Sequence, residues 1–344
     1  MGPGDVTAEW LSEVLGAEVG RVEQQRIGDG LVGMNLRLRV LDSDPSLPSS
    51  VVVKLPSPDP TSRATGLTMR TYEREVRFYR DVAPTVDIRM PRCHHAEWDP
   101  PTGDFALVLE DISPSEPGDQ IAGCTIERAR RVVAELAKLH GPRWDDPTLA
   151  DIDWLNRRTG PDDSAQLKAL WEWVFPGFVQ TYAPYLTSDA LTLVERFGGA
   201  LFDWVEGRSG PRAVTHGDFR LDNLLFGTAE GVPPVTVVDW QTPGHAPPIS
   251  DVSYFLGAGP LPPDRAEHER SLLATYGESL ATYGIDLDEG WAWEQYRREA
   301  FSGVIMAVIA SQVVGRNDRS EAMFVAMATR HLQHALDLDA LALV

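Results

Sequence analysis

Residues 215–226 read T-H-G-D-F-R-L-D-N-L-L-F, and residues 235–241 read V-T-V-V-D-W-Q. Asp218 is followed five positions later by Asn223, and Asp239 closes an apolar, β-branched run. This order of side chains points to phosphoryl-transfer chemistry. One carboxylate can hold an attacking hydroxyl, while an amide oxygen and a second carboxylate can hold magnesium on nucleotide phosphates. Charge in such a transition state is spread over oxygens, so positioning and neutralisation do most of the catalysis. Magnesium prefers hard oxygen ligands and keeps several waters, so two protein ligands suffice. Leu224–Phe226 and Val235–Val238 read as short strands, with Gly231, Pro233 and Pro234 in the turn between them. A hairpin built this way would bring Asn223 near Asp239. An isolated H-G-D would mean no more than a polar strand end; it is the full spacing that carries the chemical reading.

The same chemistry needs a lysine on a strand and a glutamate on a helix to orient it. Ser50–Leu55 reads S-V-V-V-K-L, a β-branched run that ends with Lys54. Read alone, Lys54 is better taken as a strand-edge charge facing water; the downstream motif turns the reading to the functional role. Residues 71–81, T-Y-E-R-E-V-R-F-Y-R-D, place Tyr72, Val76 and Tyr79 at helical spacing, with Glu73 and Glu75 both able to face a lysine. Upstream, Gly28, Gly30 and Gly33 form a G-x-G-x-x-G pattern. A dinucleotide-binding loop would lead into a helix. Here Met34, Leu36, Leu38 and Val40 alternate with polar residues, which predicts a strand and a glycine-rich lid over phosphates. A tight turn without a ligand is the competing reading.

H-G-D-F-R-L-D-N-L-L-F resembles the catalytic loop of the aminoglycoside phosphotransferase and choline kinase-like family, within the protein-kinase-like superfamily. Within that family it resembles the branch containing bacterial relatives of ecdysteroid kinases and choline-kinase-like enzymes. V-V-D-W-Q resembles that family's metal-binding segment, where protein kinases carry D-F-G, and P-P-I-S-D-V-S-Y-F-L at 247–256 resembles a further family segment. The resemblance implies Asp218 as catalytic base and Asn223 and Asp239 as magnesium ligands. It implies that Asp251 braces the catalytic loop, that His216 orders it by hydrogen bonding, and that Glu75 is the partner of Lys54. It places a lobe junction after Phe105–Glu110, where backbone near Glu110 and Ile112 meets the adenine. Arg220 departs from the tryptophan common in the insect enzymes. It either approaches the transferred phosphate or pairs with Asp222. The implied architecture is α+β and bilobal: a small sheet-rich nucleotide-binding lobe over residues 1–112 and a larger, mainly helical catalytic and acceptor-binding lobe over 113–344. ATP would bind between the lobes with magnesium, GTP being an open alternative.

Composition is that of an ordinary globular protein: 344 residues, 43% hydrophobic and 24% charged. The net charge is −20 and is spread along the chain, with net −6 over residues 1–112 and −14 beyond. That argues against nucleic acid or an anionic membrane as partner. Because the acidity is general, solubility explains it as well as a cationic acceptor does. The two cysteines, Cys93 and Cys124, suit a reducing cytosol, and Cys93-His94-His95 reads as a loop with a buried sulfur. Residues 1–15 lack a basic region followed by an apolar core, so a cytoplasmic location is expected. The most apolar run, 301–314, is too short to span a bilayer and reads as a core helix.

In the second half, Ile126–His140 reads as an amphipathic helix that ends in a core histidine. Residues 169–186 carry Trp171, Trp173, Phe175, Phe178, Tyr182 and Tyr185, read first as core packing and second as part of an acceptor pocket. The expected partners are a nucleotide and a small hydroxylated molecule, an antibiotic, sugar, steroid or other metabolite. A catalytically silent nucleotide-binding module is the alternative. A protein kinase is disfavoured because residues 243–250 leave little room for an activation loop, and no G-x-S-x-G supports a serine hydrolase. The acceptor's identity and the oligomeric state have no signature in the sequence.

Overall fold

In the computed structural model, which describes residues 1–28, 32–156, 161–315 and 317–344, the alternating run at 34–40 is the second strand of a five-stranded sheet. The strands are β1 (Arg21–Ile27), β2 (Gly33–Leu41), β3 (Ser50–Pro56), β4 (Cys93–Asp99) and β5 (Asp104–Glu110), in the order β1-β2-β3-β5-β4. Every pairing is antiparallel. Val53 stands opposite Leu36 on one side and Val108 on the other, so one face of the sheet is a continuous apolar layer. That layer also buries Leu11 of α1 (Ala8–Leu15), a helix capped by Thr7 at its start and by Gly16 at its end. Because side chains alternate along a strand, Lys54 points away from the layer that holds Val53 and Leu55. Two helices follow, α2 (Pro60–Thr68) and α3 (Thr71–Arg77).

The expected single helix over 71–81 is instead α3 followed by a wider π turn at Phe78–Val82. The widening falls where Phe78 stacks flat on Trp240, with ring centres 4.0 Å apart. Cys93-His94-His95 is not a loop: it opens β4, and a bulge lies between Cys93 and His95. The bulged ladder explains why no regular alternation showed in the sequence. Cys93 is only half-buried and donates its thiol hydrogen to the His95 carbonyl at 3.2 Å.

The chain divides into two compact units. The first comprises Met1–Thr85, Arg89–Ser115 and Gly227–Thr242, and the second Val86–Ile88, Glu116–Phe226 and Pro243–Val344. The first unit is therefore discontinuous: the segment that bears Asp239 belongs with the sheet, while Asp218 and Asn223 belong to the second unit. Strand β6 is Ser115–Pro117, and the second unit's strand β7 (Ala213–Thr215) leads into the Asp218 loop, which ends in β8 (Leu224–Gly227). β9 covers only Thr236–Val237, shorter than the run 235–238 suggested. Pro233 and Pro234 precede it, and Asp239, with φ of 68°, ends it. β10 (Gly244–Ala246) pairs antiparallel with β7.

The helices of the second unit are α4 (Ile126–His140), α5 (Pro161–Tyr182), α6 (Ser188–Glu206), α7 (Ile249–Ala258), α8 (Pro262–Ala281), α9 (Glu289–Arg298), α10 (Phe301–Val313) and α11 (Asp318–Asp337). α7 is buried along its entire length and packs against α4, α8, α9, α10 and α11. Apart from Asp251 and Tyr254, whose polar atoms are hydrogen-bonded, its residues are apolar or small, as a central helix requires. On α5, Trp171, Phe178 and Tyr182 are core residues, whereas Trp173 is 73% exposed. No helix among the described residues is long and apolar enough to cross a membrane.

Candidate active site

In the first unit three distant segments converge on one ammonium group. Lys54 Nζ on β3 lies 2.5 Å from Glu75 Oε1 on α3 and 2.9 Å from Asp239 Oδ1. Glu73, the other candidate on that helix, instead pairs with Arg70 and Arg77. Glu75 is fully buried and the Lys54 side chain nearly so, while the Asp239 side chain is 34% exposed. Burial alone would favour a neutral lysine; the charges of Asp239 and Glu75 outweigh it and hold the Lys54 ammonium well above its usual range. Burial pushes the Glu75 carboxyl up, Lys54 pulls it back, and Asp239 adds to the rise. Asp239 is the more exposed of the two carboxylates on Lys54. Its oxygen-donor chemistry fits a hard cation. Asp239 also holds a left-handed backbone conformation, uncommon for a residue with a Cβ.

Of the glycine-rich stretch, the ends at Gly28 and Val32–Gly33 are described. Gly33 opens β2 and faces Pro56 of β3, and Gly28 has φ of 68°, the left-handed region that glycine tolerates. Gly30 lies outside the described residues. The backbone carbonyl of Val32 accepts a hydrogen bond of 2.5 Å from Tyr72 on α3, so the helix that carries Glu75 also holds the end of this stretch. At the end of β5, the Glu110 carboxylate receives Arg89 and the backbone N–H of Arg92, and the side chain of Ile112 is buried. Those side chains are occupied structurally; of the backbone, the Glu110 N–H is given to the Arg92 carbonyl and the Ile112 carbonyl accepts the Ser115 hydroxyl.

In the second unit the Asp218 loop is held from two sides. Asp251 on α7 accepts the backbone N–H of His216 at 2.6 Å and that of Gly217 at 3.0 Å. Gly217 has φ of 79°, a turn that a side chain would strain. His140, at the end of α4, lies 3.4 Å from Asp251 through Nε2 and 2.8 Å from the Tyr276 hydroxyl through Nδ1. Burial pushes the Asp251 carboxyl up, but His140 and the His216 N–H outweigh it and hold it below its ordinary value. His216 Nδ1 accepts the backbone N–H of Asp218 at 3.3 Å, an ordering contact within the loop. On the opposite side, Gln120 accepts the Leu221 N–H and donates to the Ala258 carbonyl, both at 2.9 Å.

Asp218 itself receives three donors. Arg220 Nε and Asn223 Nδ2 reach its Oδ2, each at 3.1 Å, and the Tyr254 hydroxyl reaches its Oδ1 at 2.7 Å. Asn223 Nδ2 also donates to the Asp218 carbonyl at 2.8 Å. With its NH₂ group so engaged, Asn223 has its amide oxygen left as acceptor, the atom a cation would take. Arg220 pairs with Asp222 at 2.7 Å as well, and Asp222 is held in turn by Arg319 and by the Gln120 N–H. Burial disfavours the Arg220 charge, but Asp218 and Asp222 hold it firmly protonated.

Sequence reasoning named Lys54, Glu75 and Asp239, which meet in the first unit, and His216, Asp218, Arg220, Asn223 and Asp251, which meet in the second. It missed Tyr254, Gln120, Arg319 and Tyr72. Tyr254 had a signal: it lies three residues after Asp251 on one helix, hence on the same face. Gln120 and Arg319 are separated from the loop by about a hundred residues and had none.

The fold recurs in solved structures. A choline kinase from Cryptosporidium parvum Iowa II superposes with a TM-score of 0.61 at 10% identity, covering 94% of this chain and 91% of that one. A putative aminoglycoside phosphotransferase from Ralstonia eutropha JMP134 gives 0.55 at 17% identity, covering 96% and 97%. The GDP complex of a wild-type aminoglycoside 2'-phosphotransferase gives 0.55 at 15% identity, covering 90% and 92%. No curated protein sequence matches to a significant degree. The sequence profile of the APH phosphotransferase enzyme family matches residues 34–297, which take in Lys54, Glu75, Asp218, Asn223, Asp239 and Asp251. The chain belongs to that phosphotransferase family and has its two-unit, α+β, protein-kinase-like fold.

Proposed function

We propose that this phosphotransferase moves the γ-phosphoryl group of ATP to a hydroxyl of a small molecule, with magnesium. The observation that carries the reading is the grip of Glu75 and Asp239 on Lys54, three segments up to 185 residues apart meeting at one buried ammonium. Burying such a group is costly unless it is paired, and here two carboxylates pair it. Lys54 contacts the nucleotide phosphates, held in line by Glu75. The backbone near Glu110 and Ile112 takes the base. Asn223 through its amide oxygen and Asp239 through its carboxylate would hold magnesium, which supplies neutralisation of the phosphate charge. Asp218 accepts the proton of the acceptor hydroxyl as the new oxygen–phosphorus bond forms and the bond to the β-phosphate breaks. Asp251 and His216 keep the loop in the conformation that presents Asp218.

Solved structures with this fold include an aminoglycoside phosphotransferase and a choline kinase, so the acceptor here is sought among small hydroxylated molecules. The test is turnover of magnesium-ATP against aminoglycosides, macrolides, sugars, choline-like amines and sterols, with GTP as alternative donor. A product heavier by one phosphoryl group supports the proposal and names the acceptor class. Binding of magnesium-ATP with no turnover on any acceptor, water included, favours a silent nucleotide-binding module instead.

A further inference from the structure

We infer that Tyr254 is a positioning residue for Asp218, and that Oδ1 of Asp218 is the oxygen that receives the acceptor's proton. The inference rests on the reading of Asp218 as base. A carboxylate offers about two acceptor positions on each oxygen. On Oδ2, Arg220 Nε and Asn223 Nδ2 fill both. On Oδ1, the Tyr254 hydroxyl at 2.7 Å is the hydrogen-bond donor among the described residues, which leaves one position there. An acceptor hydroxyl that donates to Asp218 therefore docks on Oδ1, next to the Tyr254 hydroxyl. In the transfer, the acceptor's proton passes to Oδ1 and its oxygen lone pair forms the bond to phosphorus. The electrons of the broken bridging bond leave on the β-phosphate of the nucleoside triphosphate.

Tyr254 is built to fix that geometry. Its ring is 4% exposed and stacks on His331 of α11, with centres 5.1 Å apart and planes 24° from parallel. It sits one helical turn after Asp251, so a single buried helix holds both the loop backbone and the carboxylate it presents. Burial and the Asp218 charge keep the phenol protonated, well above its usual value, so it stays a donor. A rigid donor on Oδ1 restricts the carboxylate's rotation and the approach of a nucleophile, the kind of preorganisation that governs kcat more than binding.

The test compares the wild-type chain with Tyr254→Phe and Asp218→Asn, using magnesium-ATP with water as acceptor and with each acceptor of the panel above. For Tyr254→Phe, kcat is expected to fall about tenfold or more while both KM values stay within about threefold. The share of ATP lost to water, relative to acceptor phosphorylated, should rise, because a loosened carboxylate no longer selects the bound hydroxyl. A purely structural role would instead raise KM or lower the folded fraction without changing that share. If the phenylalanine variant is destabilised, 3-fluorotyrosine at position 254 perturbs the same hydrogen bond in a nearly isosteric ring. Its kcat should then change with KM constant. An unchanged kcat and unchanged partition in the Tyr254 variants, with Asp218→Asn inactive, overturns the inference and leaves the base assignment standing. No turnover by the wild type, or full turnover by Asp218→Asn, overturns both.

Discussion

Lys54 is the residue whose removal separates stability from function. A buried charge left without its partner is costly, so Lys54→Met should destabilise the first unit by about 3 kcal/mol, because Glu75 is fully buried and stays behind. Nucleotide affinity should fall about tenfold or more in the same variant, since the phosphate contact is lost. The double variant Lys54→Met, Glu75→Leu should recover most of the stability, because it removes the unpaired carboxylate. It should not recover nucleotide binding. Chemical denaturation and calorimetric titration with magnesium-ATP read the two effects separately. Recovery of both would mean that the pair is a structural device. The roles of Arg220 are narrowed by the same kind of reasoning. Its guanidinium is occupied by Asp218 and Asp222, so it shapes the carboxylate it neighbours.

At the scale of elements, α7 is the support on which the Asp218 loop rests. Asp251 takes two backbone N–H groups of that loop and lies beside His140, all within the buried interior. Its folded-state carboxyl is held below the ordinary value, so the unfolded chain binds the proton more readily. The stability it contributes is present above about pH 4, the ordinary range for an aspartate, and is lost as pH falls through the lower folded value. Asp251→Asn should therefore lower Tm by several degrees at pH 7, consistent with a loss of about 1–3 kcal/mol for hydrogen bonds left unmade. The difference between variant and wild type should shrink as pH is taken below about 4. A gap that does not depend on pH would place the effect in packing alone.

At the scale of the whole molecule, the second unit carries buried histidines that bear on its acid stability. His331 and His334 on α11 are fully enclosed, against Tyr254 and Tyr296 respectively. Burial pushes the His331 imidazole down to about 3 and the His334 imidazole well below its usual value. Between those values and about pH 6.5 the unfolded chain binds more protons than the folded one, so stability must rise with pH across that window. Thermal unfolding followed from pH 7 to pH 5 should show Tm falling in the wild type and falling less steeply in His331→Gln, His334→Gln. Parallel slopes would show that these rings do not carry the dependence. Much of this molecule was legible in the order of residues. The spacing of Asp218, Asn223 and Asp239 carried the family, and the β-branched run before Lys54 and the helical spacing at 72, 76 and 79 gave the elements that meet there. Chemistry of that kind is local, and one motif constrains it. Gln120 and Arg319 were not read because their partners are fixed by packing between segments far apart in the chain, whereas Tyr254 was legible from its place one turn after Asp251. The β4 bulge and the π turn at Phe78 were hidden because each departs from the regular period that makes an element visible.

The central claim is that Asp218 is the base of a phosphoryl transfer, and Asp218→Asn tests it most directly. Asparagine keeps the size of the side chain, but its single oxygen can accept either from Tyr254 or from Arg220 and Asn223, so the fold of the variant is verified by circular dichroism beside the assay. The measurement is single-turnover consumption of magnesium-ATP by variant and wild type, beside the nucleotide affinity of each. The account predicts affinity within about threefold and turnover reduced at least about 10²-fold, the usual scale for loss of a general base. Turnover at the wild-type rate by the folded, nucleotide-binding variant would contradict it.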